Sequence, residues 1–242
     1  MYRLDELTMA EIESKVNKES IIILPVGIIE EHGKHLPIAT DSLQIEYTAE
    51  SVAEKVKNKK VFVAPSIRYG VCVSTDKFPG SISLSFDTMR ALIYDILAGF
   101  VKNGFRKIIL LSGHGGRAHL QALRLAAEKI VEEKDVRILV FCDYELLCEP
   151  KGQEFLKSLG IPDWDAHAGA IETSRILAIR KELVKCKGIK FKPQLPKYLI
   201  TKGIEKTFPS GVIGDATTAS EDKGRKINDW VVKEIIKLAK EL

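Results

Sequence analysis

Cysteine is scarce in this chain, and none of it is spaced for chemistry. The 242 residues contain four cysteines, Cys72, Cys142, Cys148 and Cys186, with no C-x-x-C pair. This excludes a zinc ribbon or a dithiol redox motif and predicts reduced thiols in a cytoplasmic protein. None stands in a turn with a readable helix start behind it, so no activated thiolate is expected. A charge surplus is also lacking: 37 Lys and Arg oppose 33 Asp and Glu, a net of +4. With no basic tract interleaved with aromatics, nucleic acid is not an expected partner. No apolar run approaches the roughly 20 residues that span a bilayer, so no membrane partner is expected either. The opening Met1–Glu6 carries acids and no apolar h-region, which predicts no signal peptide. There is no G-x-S-x-G, and neither Ser112 nor Ser174 has a base beside it, which argues against a serine hydrolase. Linkers rich in Pro, Gly or Ser, repeats and low-complexity tracts are missing as well, so residues 1–242 are expected to form one domain.

What is present is a regular alternation. Short β-branched runs at 20–24, 60–64, 107–111 and 136–142 read as buried strands. Between and after them, 41–57, 87–103, 117–133, 168–181 and 225–242 carry apolar residues at helical spacing. Gly104 follows the second of these where a helix-ending glycine belongs. A short helix at 9–16 opens on Thr8 and Glu11, the spacing of a capping box. Strand and helix in alternation predict an α/β sandwich, a central mostly parallel sheet flanked by helices on both faces. The least regular stretch is 188–209, with Phe191, Pro193, Pro196, Tyr198 and Phe208, and reads as an excursion or interface arm.

The chain has five histidines, and four fall in glycine- or acid-rich turns. In open α/β sheets, ligands bind outside the carboxyl ends of the strands, where such turns gather. Behind the first strand lie Glu30, Glu31, His32, His35 and Asp41, carboxylates and imidazoles suited to a divalent ion such as zinc or manganese. In extended backbone Glu30 and His32 project to one side. Asp41 also stands where a helix N-cap would be. Behind the third strand, Ser112-Gly113-His114-Gly115-Gly116 forms a tight turn into a helix. It lacks the ending of a phosphate loop, so His114 reads as a ligand or base. In the third cluster His167 precedes a helix and Glu172 lies in its first turns. A spacing of five leaves two readings of Glu172: convergence with His167, or an acid favoured by the positive helix end. His119, on a helix with no acidic neighbour, reads as a surface or packing residue.

Pro25-Val26-Gly27, Glu30-Glu31-His32-Gly33, His35-Leu36-Pro37 and Thr40-Asp41 together resemble the signature of the creatininase (creatinine amidohydrolase) family. So do Phe78 to Leu84, Ser112 to Gly116, His167-Ala168-Gly169 with Glu172-Thr173-Ser174, and Gly211 to Asp215. The resemblance implies a metal-dependent amidohydrolase acting on a small-molecule amide, a homohexamer, and two divalent ions per chain: zinc, manganese or iron. It implies that Glu30 and His32 hold different ions, that Asp41 bridges them, that His114 completes the first site and that His167 is the catalytic histidine. Creatininase proper has a glutamate where this chain has Gly116; in members with the Gly-His-Gly-Gly form the third-motif glutamate, here Glu172, takes its place. Chemically, two such ions would lower the pKa of a bridging water and polarise a carbonyl, and a histidine would protonate the leaving nitrogen. Glu31, His35, Gly115 and Gly116 are expected to support the ligands or face the substrate, Glu31 as an acceptor for a spare imidazole nitrogen. The expected reaction is hydrolysis of a non-peptide C–N bond in a cyclic amide or formamide. Alternatives are a deformylase or peptidase relative in cofactor biosynthesis, or a non-catalytic metal-binding assembly protein.

Overall fold

Five parallel strands lie side by side in the order β1-β3-β2-β4-β5: β1 Tyr2–Arg3, β2 Ile21–Val26, β3 Val61–Val63, β4 Lys107–Ser112 and β5 Arg137–Cys142. The computed structural model describes residues 1–194 and 201–242. Successive residues of a strand face opposite sides of the sheet, and here both sides are covered. Ile21, Ile23, Ile109 and Leu111 face one buried cluster, and Ile22, Leu24, Ile108 and Leu110 face the other. This is why the strands read as unbroken apolar runs rather than alternating ones.

The first cluster is closed by α2 Thr40–Lys55, α5 Asp143–Cys148, α6 Pro150–Ser158, α7 Ala170–Ile179 and α8 Glu221–Glu241. The second is closed by α3 Phe86–Lys102 and α4 Arg117–Glu133. The short α1, Met9–Lys15, opens on the expected capping box of Thr8 and Glu11. No helix among the described residues is long and apolar enough to cross a membrane.

Several expectations are corrected here. The last helix begins at Glu221 rather than at 225, and α5 and α6 occupy a stretch the periodicity left unassigned. Asp41 is not an N-cap. Ala39 takes that place, and Asp41 lies inside the first turn of α2. Cys142 does stand immediately before a helix, α5. It is buried, and that burial pushes its thiol well above the usual range, so it is no thiolate. The arm at 188–209 is partly regular: Lys190–Phe191 pairs antiparallel with Gly214–Asp215. Pro196 and Tyr198 lie outside the described residues.

The strand order fixes where a ligand can sit. The chain leaves β2 toward β3 on one side and leaves β4 toward β5 on the other, so a crevice opens between the carboxyl ends of β2 and β4. The start of α2 is pressed into this crevice. A Cβ on Gly27, after β2, would meet Ser42 Cα at 2.4 Å, and one on Gly113, after β4, would meet the Asp41 carbonyl oxygen at 2.4 Å. Only glycine at both strand exits lets α2 carry Asp41 between them.

Candidate metal centre

The crevice collects side chains from four segments. Glu30 and His32 arrive on the loop after β2, Asp41 on the first turn of α2, His114 on the turn after β4, and Glu172 on the first turn of α7. Asp41 is the hinge of the arrangement. Its Oδ1 lies 3.1 Å from His32 Nε2 and its Oδ2 lies 3.2 Å from His114 Nδ1. Glu30 Oε1 lies 2.9 Å from His114 Nδ1, and Glu172 Oε2 lies 3.7 Å from His32 Nε2. Two triads with metal-ligand chemistry result, Glu30–Asp41–His114 and His32–Asp41–Glu172, with Asp41 common to both. A third grouping, Glu30–His32–His167, places His167 against the same centre.

The imidazole nitrogens that face Asp41 are set by their other ends. His32 Nδ1 lies 3.1 Å from the Glu30 carbonyl oxygen; donating there fixes the ring with Nε2 turned toward Asp41. His114 turns Nδ1 inward, and its buried Nε2 has no hydrogen-bond partner among the described residues. That nitrogen faces Gly116, where a Cβ would stand 2.3 Å away, so the ring orientation requires glycine there. Gly115 is exposed.

Glu172 reaches the centre because the chain turns sharply ahead of α7. Gly169 is the N-cap, Ala168 adopts φ 49°, and the Ala168 N–H donates to Glu172 Oε2 at 2.5 Å. His167 therefore lies two residues before the cap, its ring centroid 4.5 Å from that of His32. Its Nε2 is 3.1 Å from Glu31 Oε1 and 3.0 Å from the Glu31 carbonyl oxygen. Glu31 thus serves His167 rather than the spare nitrogen of a ligand. Its own backbone N–H donates to Ser81 Oγ at 2.9 Å. His35 is buried and its Nε2 meets Thr173 Oγ1 at 2.8 Å, one helix position from Glu172.

His119 is not a surface residue. It is fully buried, its ring is edge-on to His114 at 5.2 Å, and Val71 N–H donates to its Nδ1. Burial, with the His114 charge beside it, pushes its pKa down to about 3, so it is a neutral packing group. Thr75 is a contact that the motifs did not point to: its hydroxyl donates to Glu30 Oε2 at 2.5 Å.

The donor set fits divalent cations. Glu30, Asp41 and Glu172 are three buried carboxylates, and among the described residues their ion pairs are with His32 and His114 alone. Buried carboxylates without Lys or Arg demand positive charge from elsewhere. The electrostatics carry that demand. Burial works to discharge His32, but Asp41 and Glu172 overcome it and raise its pKa well above the usual value. Burial opposes His114 likewise, and Glu30 and Asp41 overcome it. Asp41, although burial pushes it up, is held below the ordinary carboxylate range by the two imidazoles. A centre that attracts protons this strongly attracts metal ions by the same field, and a metal would displace those protons.

Against known proteins, the Creatininase family model, described as creatinine amidohydrolase, matches residues 5–239. Creatinine amidohydrolase of Pseudomonas putida is 28% identical over 95% of this chain and 93% of its own length. Mycofactocin precursor peptide peptidase of Mycolicibacterium smegmatis is 29% identical over 86% of this chain and 79% of its own. Among solved structures, one described as "Creatininase Mn" superposes with a TM-score of 0.86 at 26% identity, covering 98% of this chain and 97% of that one.

Proposed function

The chain belongs to the creatininase family of metal-dependent amidohydrolases, and from that premise we propose that it hydrolyses a non-peptide C–N bond of a cyclic amide or formamide. Glu30, Asp41 and His114 would hold one divalent ion, and His32, Asp41 and Glu172 would hold a second. The observation that carries this reading is Asp41, whose two carboxylate oxygens each face a different imidazole.

When bound, such a pair supplies Lewis acidity and lowers the pKa of water toward neutrality, with zinc, manganese and iron all suited to these donors. The chain's own residues do the rest. Asp41 sets the spacing of the two ligand groups. Glu31 accepts from His167 Nε2–H and fixes the ring, leaving Nδ1 free for the substrate. Burial and the His32 charge oppose protonation of His167, yet Glu31, Glu30 and Glu172 raise its pKa. His167, its ring held by Glu31, is the group placed to deliver a proton to the departing nitrogen. An amide nitrogen leaves poorly without one.

A second reading, cleavage of a short peptide, is favoured by the 29% identity to a peptidase beside 28% to creatinine amidohydrolase. Gly116, in place of the glutamate expected of creatininase proper, speaks against creatinine itself as the substrate. We further propose a cytoplasmic homohexamer with residues 1–242 as one domain. Exposed apolar residues near the site, Val73 at 65% and Ile82 at 50%, support subunit contacts, and the cysteines are free thiols.

A panel of cyclic amides, formamides and short peptides, assayed with added manganese or zinc, tests the reading. Turnover of a cyclic amide or formamide is expected; turnover of peptides alone transfers the assignment to the second reading. Silence across the panel with every metal would overturn both. Sedimentation at the mass of a single 27.0 kDa chain would reject the hexamer.

A further inference from the structure

We infer that Thr75 is a positioning residue for the metal centre: its hydroxyl occupies Glu30 Oε2 and so presents Oε1 to the first ion. The inference rests on the centre proposed above, and adds to it a residue outside every motif.

The geometry is direct. Thr75 Oγ1 and Glu30 Oε2 are 2.5 Å apart, with both residues buried. An ionised carboxylate only accepts, so the hydroxyl proton belongs to Thr75 and points at Oε2. The other oxygen, Oε1, is the one 2.9 Å from His114 Nδ1. The terminal torsion of a glutamate is broad and roughly two-fold. Without the hydroxyl the carboxylate could rotate, and a buried acceptor would lose its partner.

The loop bearing Thr75 is tied to the backbone that bears Glu30. Ile82 N–H donates to the Ile29 carbonyl at 3.0 Å, and Ser81 Oγ accepts from Glu31 N–H at 2.9 Å. At its other end, Leu84 N–H donates to the Gly70 carbonyl at 2.7 Å and Cys72 N–H to Ser83 Oγ at 3.0 Å. Within the loop, Phe78 N–H donates to the Thr75 carbonyl at 3.0 Å. Threonine adds stiffness at χ1. The hydroxyl is therefore aimed by a braced loop at one oxygen of one ligand.

The test is titration of chelator-treated protein with cobalt(II), read by the visible ligand-field absorption of the bound ion. Loss of an outer partner of a metal ligand costs about 10–100-fold in affinity. Thr75→Val should weaken one of the cobalt-binding steps by that factor and change its spectrum, while Thr75→Ser restores both. In a Glu30→Gln background, Thr75→Val should add nothing. Should the valine variant fail to fold in chelator, Thr75→Ala carries the same expectation. A wild-type titration curve for the variant without the hydroxyl would overturn the inference. So would a serine variant as weak as the valine one, or a loss that persists unchanged in Glu30→Gln. Cobalt binding is read without substrate, so a silent substrate panel would refute the function and leave this result standing.

Discussion

Two buried polar clusters share the same helices and solve the problem of buried charge in opposite ways. One is the centre around Asp41. The other lies deeper along α2 and α7, where Arg175 Nη2 meets Asp143 Oδ2 at 2.7 Å and Thr48 Oγ1 at 3.0 Å, and Arg175 Nε meets Asn228 Oδ1 at 2.8 Å. Thr48 follows Asp41 by seven residues and Arg175 follows Glu172 by three, so each helix contributes one residue to each cluster from one face. The Arg175 cluster is neutral and complete. The Asp41 cluster sets three buried carboxylates against two imidazoles. Charge closure separates the two: a buried cluster that satisfies itself braces helices, and one left with an excess of carboxylates suits a cation.

The sharpest way to break this contrast is at Asp41. Asp41→Asn should abolish turnover and remove both ions, as measured by metal analysis of the purified protein. Glu172→Gln should remove only one. Two ions retained in Asp41→Asn would dismiss the shared carboxylate. Unchanged metal content in Glu172→Gln would reduce Glu172 to a helix-end acid.

Next in size is His167→Ala. It should lower turnover by roughly 10²–10⁴-fold, the range of general acid catalysis, while metal content stays at the wild-type level. A variant as fast as wild type on a hydrolysed panel substrate would remove His167 from proton transfer. A variant that loses metal would move it into the ligand set with Glu30 and His32.

The other cluster is tested by stability alone. Arg175→Met leaves Asp143 buried and unpaired, which costs about 3–5 kcal/mol, measured by urea unfolding. The loss should be the same with and without added metal, because the brace does not depend on the ion. Adding Asp143→Asn to Arg175→Met should recover part of it, since the unpaired charge is then gone. A loss that metal repairs would show that the two clusters are one coupled network.

The same contrast explains what the sequence makes legible. Apolar runs at β2 and β4 announce buried strands because both sheet faces are covered, and the histidine-bearing turns announce themselves by following those strands. β1 and the paired strands Lys190–Phe191 and Gly214–Asp215 are two residues each, too short to carry a period. Glu172 stays ambiguous in the sequence because its convergence depends on the positive φ of Ala168, which alanine does not advertise. Arg175 is hidden for the opposite reason: an arginine on a helix reads as solvated, and only the meeting of α2, α5, α7 and α8 shows it to be buried. Thr75 is 45 residues from Glu30, and an isolated threonine in a loop carries no signal. His119 stays undecided between surface and packing in the sequence because the side chains that enclose it, His114 among them, come from other segments.

The smallest expected effect lies at the exposed limit of the comparison, where a carboxylate is partnered but not buried. Glu11 accepts from the Thr8 N–H at 3.0 Å and from Lys15 Nζ at 3.1 Å. The Thr8 backbone donor, followed by Lys15, lowers its pKa from 4.5 to about 2. A carboxyl group whose folded pKa lies below its unfolded one contributes stability above the unfolded value and loses it as pH falls through the folded value. Glu11 should therefore stabilise α1 fully above pH 4.5 and lose that contribution between 4.5 and about 2. The measurement is the thermal midpoint of wild type against Glu11→Gln across that interval. The two should differ slightly at neutral pH and converge in acid, by less than any change expected at Asp41, His167 or Arg175, because water and salt screen an exposed pair. A difference that does not close in acid would assign the capping contribution of Glu11 to its hydrogen-bonding shape rather than its charge.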